Sequence, residues 1–167
     1  IKRAHIVSLS SVSLALAACS SETSGTFEGD DGEPGEYTID RATGEATATI
    51  ETEDGTATLR SGSDVPVELP AGFTVYPGAE VITNTVVSQG AGSGMLVTMQ
   101  SDDSPEAVAG FYKDQAVKAG IDIQMEMSTN GGRMIGGESN EGLTFSIIAS
   151  PEEEGTTAQL AVGESLD

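Results

Sequence analysis

An α+β fold is what this sequence predicts: a single antiparallel sheet with one helix packed across it. Three observations carry that expectation. Short stretches that alternate apolar and polar residues, the period of a half-buried strand, recur between glycine-containing turns from Tyr37 to Val162. One segment alone, from Pro105 to Ala119, switches to helical spacing and brings its own caps. The chain has 167 residues with only 4 Phe, 3 Tyr and no Trp, which suits one domain built on a thin aliphatic core.

Taken from the N-terminal side, residues 20–36 read SSETSGTFEGDDGEPGE. Serine, glycine and acid at that density bury too little apolar surface to offset ordering entropy, so a disordered tether is expected, with a reach of roughly 22 Å. Residues 37–63 then read as a small β meander. Ala46 to Thr52 alternates, and Asp54-Gly55 supplies a two-residue hairpin turn that would set Glu53 opposite Thr56 and Ile50 opposite Leu59.

Residues 64–167 form the expected main domain, in the order β-β-α-β-β-β-β. Asp64 to Leu69 reads as a leading strand or extended linker, its ladder limited by Pro66 and Pro70. Val81–Ser88 and Met95–Ser101 pair about a glycine-rich loop, Gly90 to Gly94. Ser104 caps the helix, Pro105 sits at its first position, and Asp102, Asp103 and Glu106 complement the positive end of its dipole. Gly120 closes it. Ile121, Ile123, Met125 and Met127 alternate along the next strand. Arg133–Glu138, Leu143–Ala149 and Thr157–Val162 complete the sheet. The five Met residues at strand spacing (Met95, Met99, Met125, Met127, Met134) are expected mainly in the core.

Charge narrows the possible partners. Seven basic residues against 27 acidic ones give a net charge of −20, which excludes nucleic acid as a partner. A lone cysteine forms no internal disulfide and no zinc cluster.

The first 18 residues have the layout of a secretory signal peptide. Lys2, Arg3 and His5 make a basic start, and Ile6 to Ala18 is apolar or small but too short for a bilayer core needing roughly 20 residues. Its end, Leu16-Ala17-Ala18-Cys19, resembles the lipobox of bacterial lipoproteins. That resemblance implies recognition by signal peptidase at Leu16, Ala17 and Ala18, cleavage before Cys19, and acylation of Cys19, so that the protein's first partner is a lipid bilayer. Ser20 in place of the family's inner-membrane Asp implies the periplasmic face of the outer membrane. Cleavage would also remove His5, leaving no imidazole, while lipid consumes the thiol. Ser-His-Asp and Cys-His catalysis are then excluded, and no catalytic residue, metal site or cofactor is expected.

The stretch from Val65 to Val162 resembles a set of small bacterial envelope lipoproteins. It does so through Leu69-Pro70, Phe73, Val75-Tyr76-Pro77-Gly78-Ala79, Asp102-Asp103-Ser104-Pro105-Glu106 and Phe111-Tyr112. These are turn, cap and core signals, and they imply fold rather than activity. The element order is also similar to the helix-grip domains of accessory lipoproteins in outer-membrane protein assembly. The functional expectation is a membrane-anchored envelope lipoprotein whose domain binds rather than catalyses, with an envelope protein as partner. Two alternatives stand beside it. One is a carboxylate-based hydrolase of envelope polysaccharide, with acids such as Glu126 and Glu138. The other is a small-ligand or Ca²⁺ binder, drawing on Asp30, Asp31, Glu33 and Glu36 or on the Gly90 to Gly94 loop.

Overall fold

A computed structural model describes residues 21–28, 32–52, 55–90 and 92–164. Ten strands and one helix follow one another: β1 (Glu22–Glu28), β2 (Pro34–Asp40), β3 (Ala46–Thr52), β4 (Gly55–Gly62), β5 (Glu80–Gln89), β6 (Gly92–Ser101), α1 (Pro105–Lys118), β7 (Ile121–Thr129), β8 (Gly132–Ser139), β9 (Leu143–Pro151) and β10 (Thr156–Glu164). All ten strands belong to one antiparallel sheet, ordered β1-β2-β3-β4-β5-β6-β10-β9-β8-β7. The single helix packs across β7 to β10.

Two expectations are corrected here. The acidic stretch expected to be a disordered tether carries β1 and the start of β2. Its composition hides a specific pairing: Phe27 lies opposite Gly35 and Tyr37 opposite Gly25. Each ring covers its glycine so closely that a Cβ on Gly35 would sit 2.5 Å from the Phe27 ring and one on Gly25 2.6 Å from the Tyr37 hydroxyl. Aromatic rings laid over cross-strand glycines restore the packing the glycines lack. The expected separate meander is likewise part of the main sheet, because β4 pairs with β5 from Ala57↔Gln89 to Gly62↔Asn84. The order in the sheet therefore differs from the expected one by four further strands.

The β3–β4 hairpin is also shifted. Ile50 faces Ala57 and Leu59 faces Ala48, two residues away from the expected pairing. A slip of two preserves the faces, so Ile50 and Leu59 still project to one side.

Helix α1 is set by its caps. The Ser104 hydroxyl accepts from the Ala107 N–H at 3.3 Å, Pro105 opens the first turn, and Gly120 follows with φ +79°. Val108, Ala109, Tyr112 and Ala116 are buried against the sheet. They meet Val97 and Met99 of β6, Ile121 and Ile135, Phe145, Ile147 and Ala149 of β9, and Ala158, Leu160 and Val162 of β10.

Asp64 to Leu69 is not a strand. With the residues up to Ala79 it forms an irregular strap that continues the helical layer beside β5. Val65 and Phe73 are buried, and Phe73 stacks on Phe145 with ring centroids 5.5 Å apart. Asn84 pins the strap: its Nδ2 donates to the Pro66 carbonyl at 2.6 Å and to that of Val65 at 3.4 Å. Three further bonds tie strap to helix. The Gln115 amide brackets Thr74, its Oε1 accepting from the Thr74 N–H at 3.1 Å and its Nε2 donating to the Thr74 hydroxyl at 2.9 Å, and the Tyr76 N–H donates to the Tyr112 hydroxyl at 2.9 Å.

Candidate functional site

Strand alternation gives the sheet two unlike faces. On the helical side, β5 to β10 are covered by α1 and the strap, and this is where the core lies. The space between helix and sheet is filled by Phe73, Tyr112, Met99, Phe145 and Leu160. The opposite face carries no helix. Along it the register aligns Leu59, Val87, Leu96, Ala161, Ile148, Met134 and Met127, with Phe27, Tyr37, Ile39 and Ile50 on the first strands. Leu96 is 42% exposed and Met127 52%. Large apolar side chains left bare in a row are the informative observation on a chain this acidic.

Two concavities indent this face, each where the ladder runs through glycine. The larger holds about 490 Å³. At its floor Gly94 and Gly163 face each other across β6 and β10, and their outer neighbours are Val87 of β5 and Thr144 of β9. The adjoining row, Thr85, Leu96, Ala161 and Ser146, supplies its wall. A Cβ on Gly163 would meet the Gly94 Cα at 2.6 Å, so backbones approach here as side-chain-bearing residues would not allow. The second, about 410 Å³, lies beside Gly132 between Met127, Met134 and Ile148. Both are lined by apolar and hydroxyl groups, chemistry that suits an uncharged apolar ligand or peptide segment.

The exposed methionines correct the expectation that alternation places them in the core. Met99 is fully buried and Met95 packs on the core, but Met125 and Met127 stand on the open face. A bulge between Ile123 and Met125 reverses the phase of β7, so Ile121 and Ile123 point to the helix and Met125 and Met127 away from it. Opposite the bulge lie Gly137 and Gly136, and a Cβ on Gly137 would run into the Asp122 carbonyl. That Gly-Gly pair is the sequence signal for the phase change.

The candidate acids are separated. Glu126 lies opposite Ile135, on the helical side, where its Oε2 accepts from Lys113 Nζ at 2.6 Å. The Lys113 ammonium holds its carboxyl below the usual carboxylate range. Glu138 pairs with Asp122 and Thr144 and projects to the other face. The sheet thus stands between the two carboxylates, and they cannot flank one substrate bond. Arg133 donates to Glu106 at 2.7 Å, which makes a second exposed ion pair beside the first.

Buried titratable chemistry belongs to tyrosine. Burial pushes the Tyr112 phenol up to about 12. Tyr76 is also raised, because its hydroxyl donates to the Asp103 carboxylate at 2.7 Å and the neighbouring negative charge disfavours the phenolate. Neither phenol has a base positioned to activate it, and both act as structural ties.

Leu16, Ala17, Ala18 and Cys19 lie outside the described residues, as do Asp30 and Asp31. Glu33 precedes β2 and Glu36 lies within it. Among the described residues no group of three or more His, Cys, Asp or Glu is placed to hold a metal ion, and no helix is long and apolar enough to cross a membrane. The Gly90 to Gly94 loop is tighter than expected: pairing runs out to Gln89↔Gly92, so Gly92 and Gly94 belong to β6 and Gly94 serves the concavity instead.

No curated protein and no solved structure matches the chain. A family described as START domain-like matches residues 81–156, under half of the sequence, from β5 through α1 to the first residue of β10.

Proposed function

We propose that this chain is a lipid-anchored, non-catalytic binding module of the bacterial envelope. Acylated Cys19 would hold it at the periplasmic face of the outer membrane, and the open sheet face would take an uncharged apolar ligand or partner segment at the Gly94–Gly163 concavity. The observation that carries this reading is a bare apolar concavity of about 490 Å³ on a chain of net charge −20. Burying apolar surface there is worth roughly 25 cal/mol per Å², with no charge to desolvate. The likeness to START-like domains, which are usually binding domains, supports the same reading. So does the separation of Glu126 from Glu138, which removes the acid pair the sequence offered for hydrolysis.

Gly94 provides the test. A Cβ there meets nothing within 4 Å, so Gly94→Val fills the concavity without a backbone clash. Binding of an uncharged, environment-sensitive dye to the membrane-purified protein should fall sharply in Gly94→Val while the melting temperature holds. Equal dye binding by both proteins would remove the site. Intact mass of the same preparation, with Cys19→Ala as control, checks the anchor.

A further inference from the structure

The first four strands present an unusual problem. Their helical-side face is polar and acidic, with Glu22, Glu28, Glu36, Asp40 and Glu51 on it. Their other face carries no charged side chain on any described strand position, and it is where Phe27, Tyr37, Ile39, Ile50 and Leu59 project. Ile39 is 40% exposed and Leu59 38%. Neither α1 nor the strap reaches these strands, so no second layer shields their apolar side. An antiparallel sheet with one apolar face is stable when that face meets something apolar.

Where the chain starts decides what that something is. The described part begins at Ser21, whose carbonyl accepts from the Arg41 N–H at 2.7 Å. In the sequence Ser20 alone separates Ser21 from Cys19. Two residue steps span at most about 7 Å, so a lipid on Cys19 keeps β1 at the headgroups. The expected reach of roughly 22 Å does not exist, because the intended tether is spent on strands.

We propose that the uncharged face of β1–β4 lies on the bilayer that holds Cys19, with Phe27 and Tyr37 at the headgroup level. This rests on the anchor reading above. Charge selects the face: the acidic side is repelled by anionic headgroups, and the neutral side is not. Aromatic rings favour the interface, and an amphipathic element binds in proportion to the apolar area it buries. Size argues against a second copy as the occupant. Four strands at ~4.8 Å spacing and about 23 Å length offer roughly 400 Å², half of the ~800 Å² per partner of a standard interface. Against a bilayer the lipid supplies the remaining affinity.

The experiment uses the acylated full chain in vesicles of phosphatidylethanolamine and phosphatidylglycerol. Acylation consumes the chain's one cysteine, so a nitroxide on Ile39→Cys, Leu59→Cys or Glu51→Cys reports a single place. The expected result is an oxygen-to-nickel-chelate accessibility ratio several-fold higher at Ile39 and Leu59 than at Glu51. Equal ratios on an acylated chain overturn the placement and leave the anchor standing. Labels at Ile39 and Leu59 that are shielded from both reagents and broadened by a neighbouring spin assign the face to a second copy, which also overturns it. Intact mass showing an unmodified Cys19 overturns the anchor, and the placement with it. Leu59→Glu, on a side chain already exposed, should lower the ratio at Ile39 without changing the circular dichroism spectrum.

Discussion

The Tyr112 phenol donates its proton to the Met99 sulfur at 3.2 Å while accepting the Tyr76 N–H at 2.9 Å. One hydroxyl thus joins the helix, the central strand β6 and the strap. Tyr112→Phe keeps the ring and leaves a part-buried N–H without its partner, a loss of about 1–2 kcal/mol in urea unfolding.

The same phenol predicts a pH dependence. Its folded pKa, raised to about 12, lies above the ordinary value of 10.0, so folding favours the protonated form. The stabilisation is complete below pH 10 and is lost as pH rises toward 12, because the unfolded chain ionises first. Its size is on the order of 2 kcal/mol after allowance for solvent screening. Melting temperatures taken through this window should fall more steeply for the native protein than for Tyr112→Phe.

Asn84 is fully buried and bonds two strap carbonyls through Nδ2, while its Oδ1 has no protein partner. Asn84→Ala removes both bonds and should destabilise by about 2–3 kcal/mol. Asn84→Asp should be worse, since a carboxylate would face the Val65 and Pro66 oxygens. Hydrogen exchange of the strap amides, Phe73 and Tyr76 above all, is the readout.

Gly94 and Gly163 face each other but should respond oppositely to alanine. At Gly163 the new methyl meets backbone at 2.6 Å and 2.8 Å, and a loss of at least ~2 kcal/mol is expected. At Gly94 it meets nothing within 4 Å, and the gain from a less flexible unfolded chain is about 0.4–1 kcal/mol. Paired denaturation curves decide the matter.

Lys113→Met should return the Glu126 carboxyl upward toward 4.5, seen in a carboxyl-carbon NMR titration. With the lysine present, the depressed folded pKa adds stability above the unfolded value that is lost as pH falls.

The helix was fully legible, because Ser104, Pro105 and Gly120 are local signals that act within one turn. Strands β5 to β10 were legible because alternation and glycine turns are local too. What escaped were relations between distant residues. Phe27 and Tyr37 find their glycines only across a strand pair, so composition alone made that stretch look disordered. Met125 and Met127 continue the alternation of Ile121 and Ile123 in sequence, yet a bulge paired with Gly136 and Gly137 turns them over. The open face went unread for the same reason: a concavity made by Gly94 and Gly163 needs the β6–β10 pairing, which no local pattern announces.

That pairing has a kinetic consequence. Every other neighbour relation in the sheet joins consecutive strands, so β1 to β6 and β7 to β10 can each zip by successive hairpins, on a timescale of about 1–10 μs per hairpin. Only the seam from Ser101↔Thr156 to Gly94↔Gly163 must bring remote parts of the chain together. The entropy of loop closure is therefore concentrated in a single event, and low contact order elsewhere favours rapid assembly on either side of it. Until that seam closes, β6 and β10 are both free edges, and any nascent chain nearby can template on them. Substitutions along Val97, Met99, Ala158 and Leu160 should accordingly slow folding, whereas those in β1 to β3 should chiefly speed unfolding.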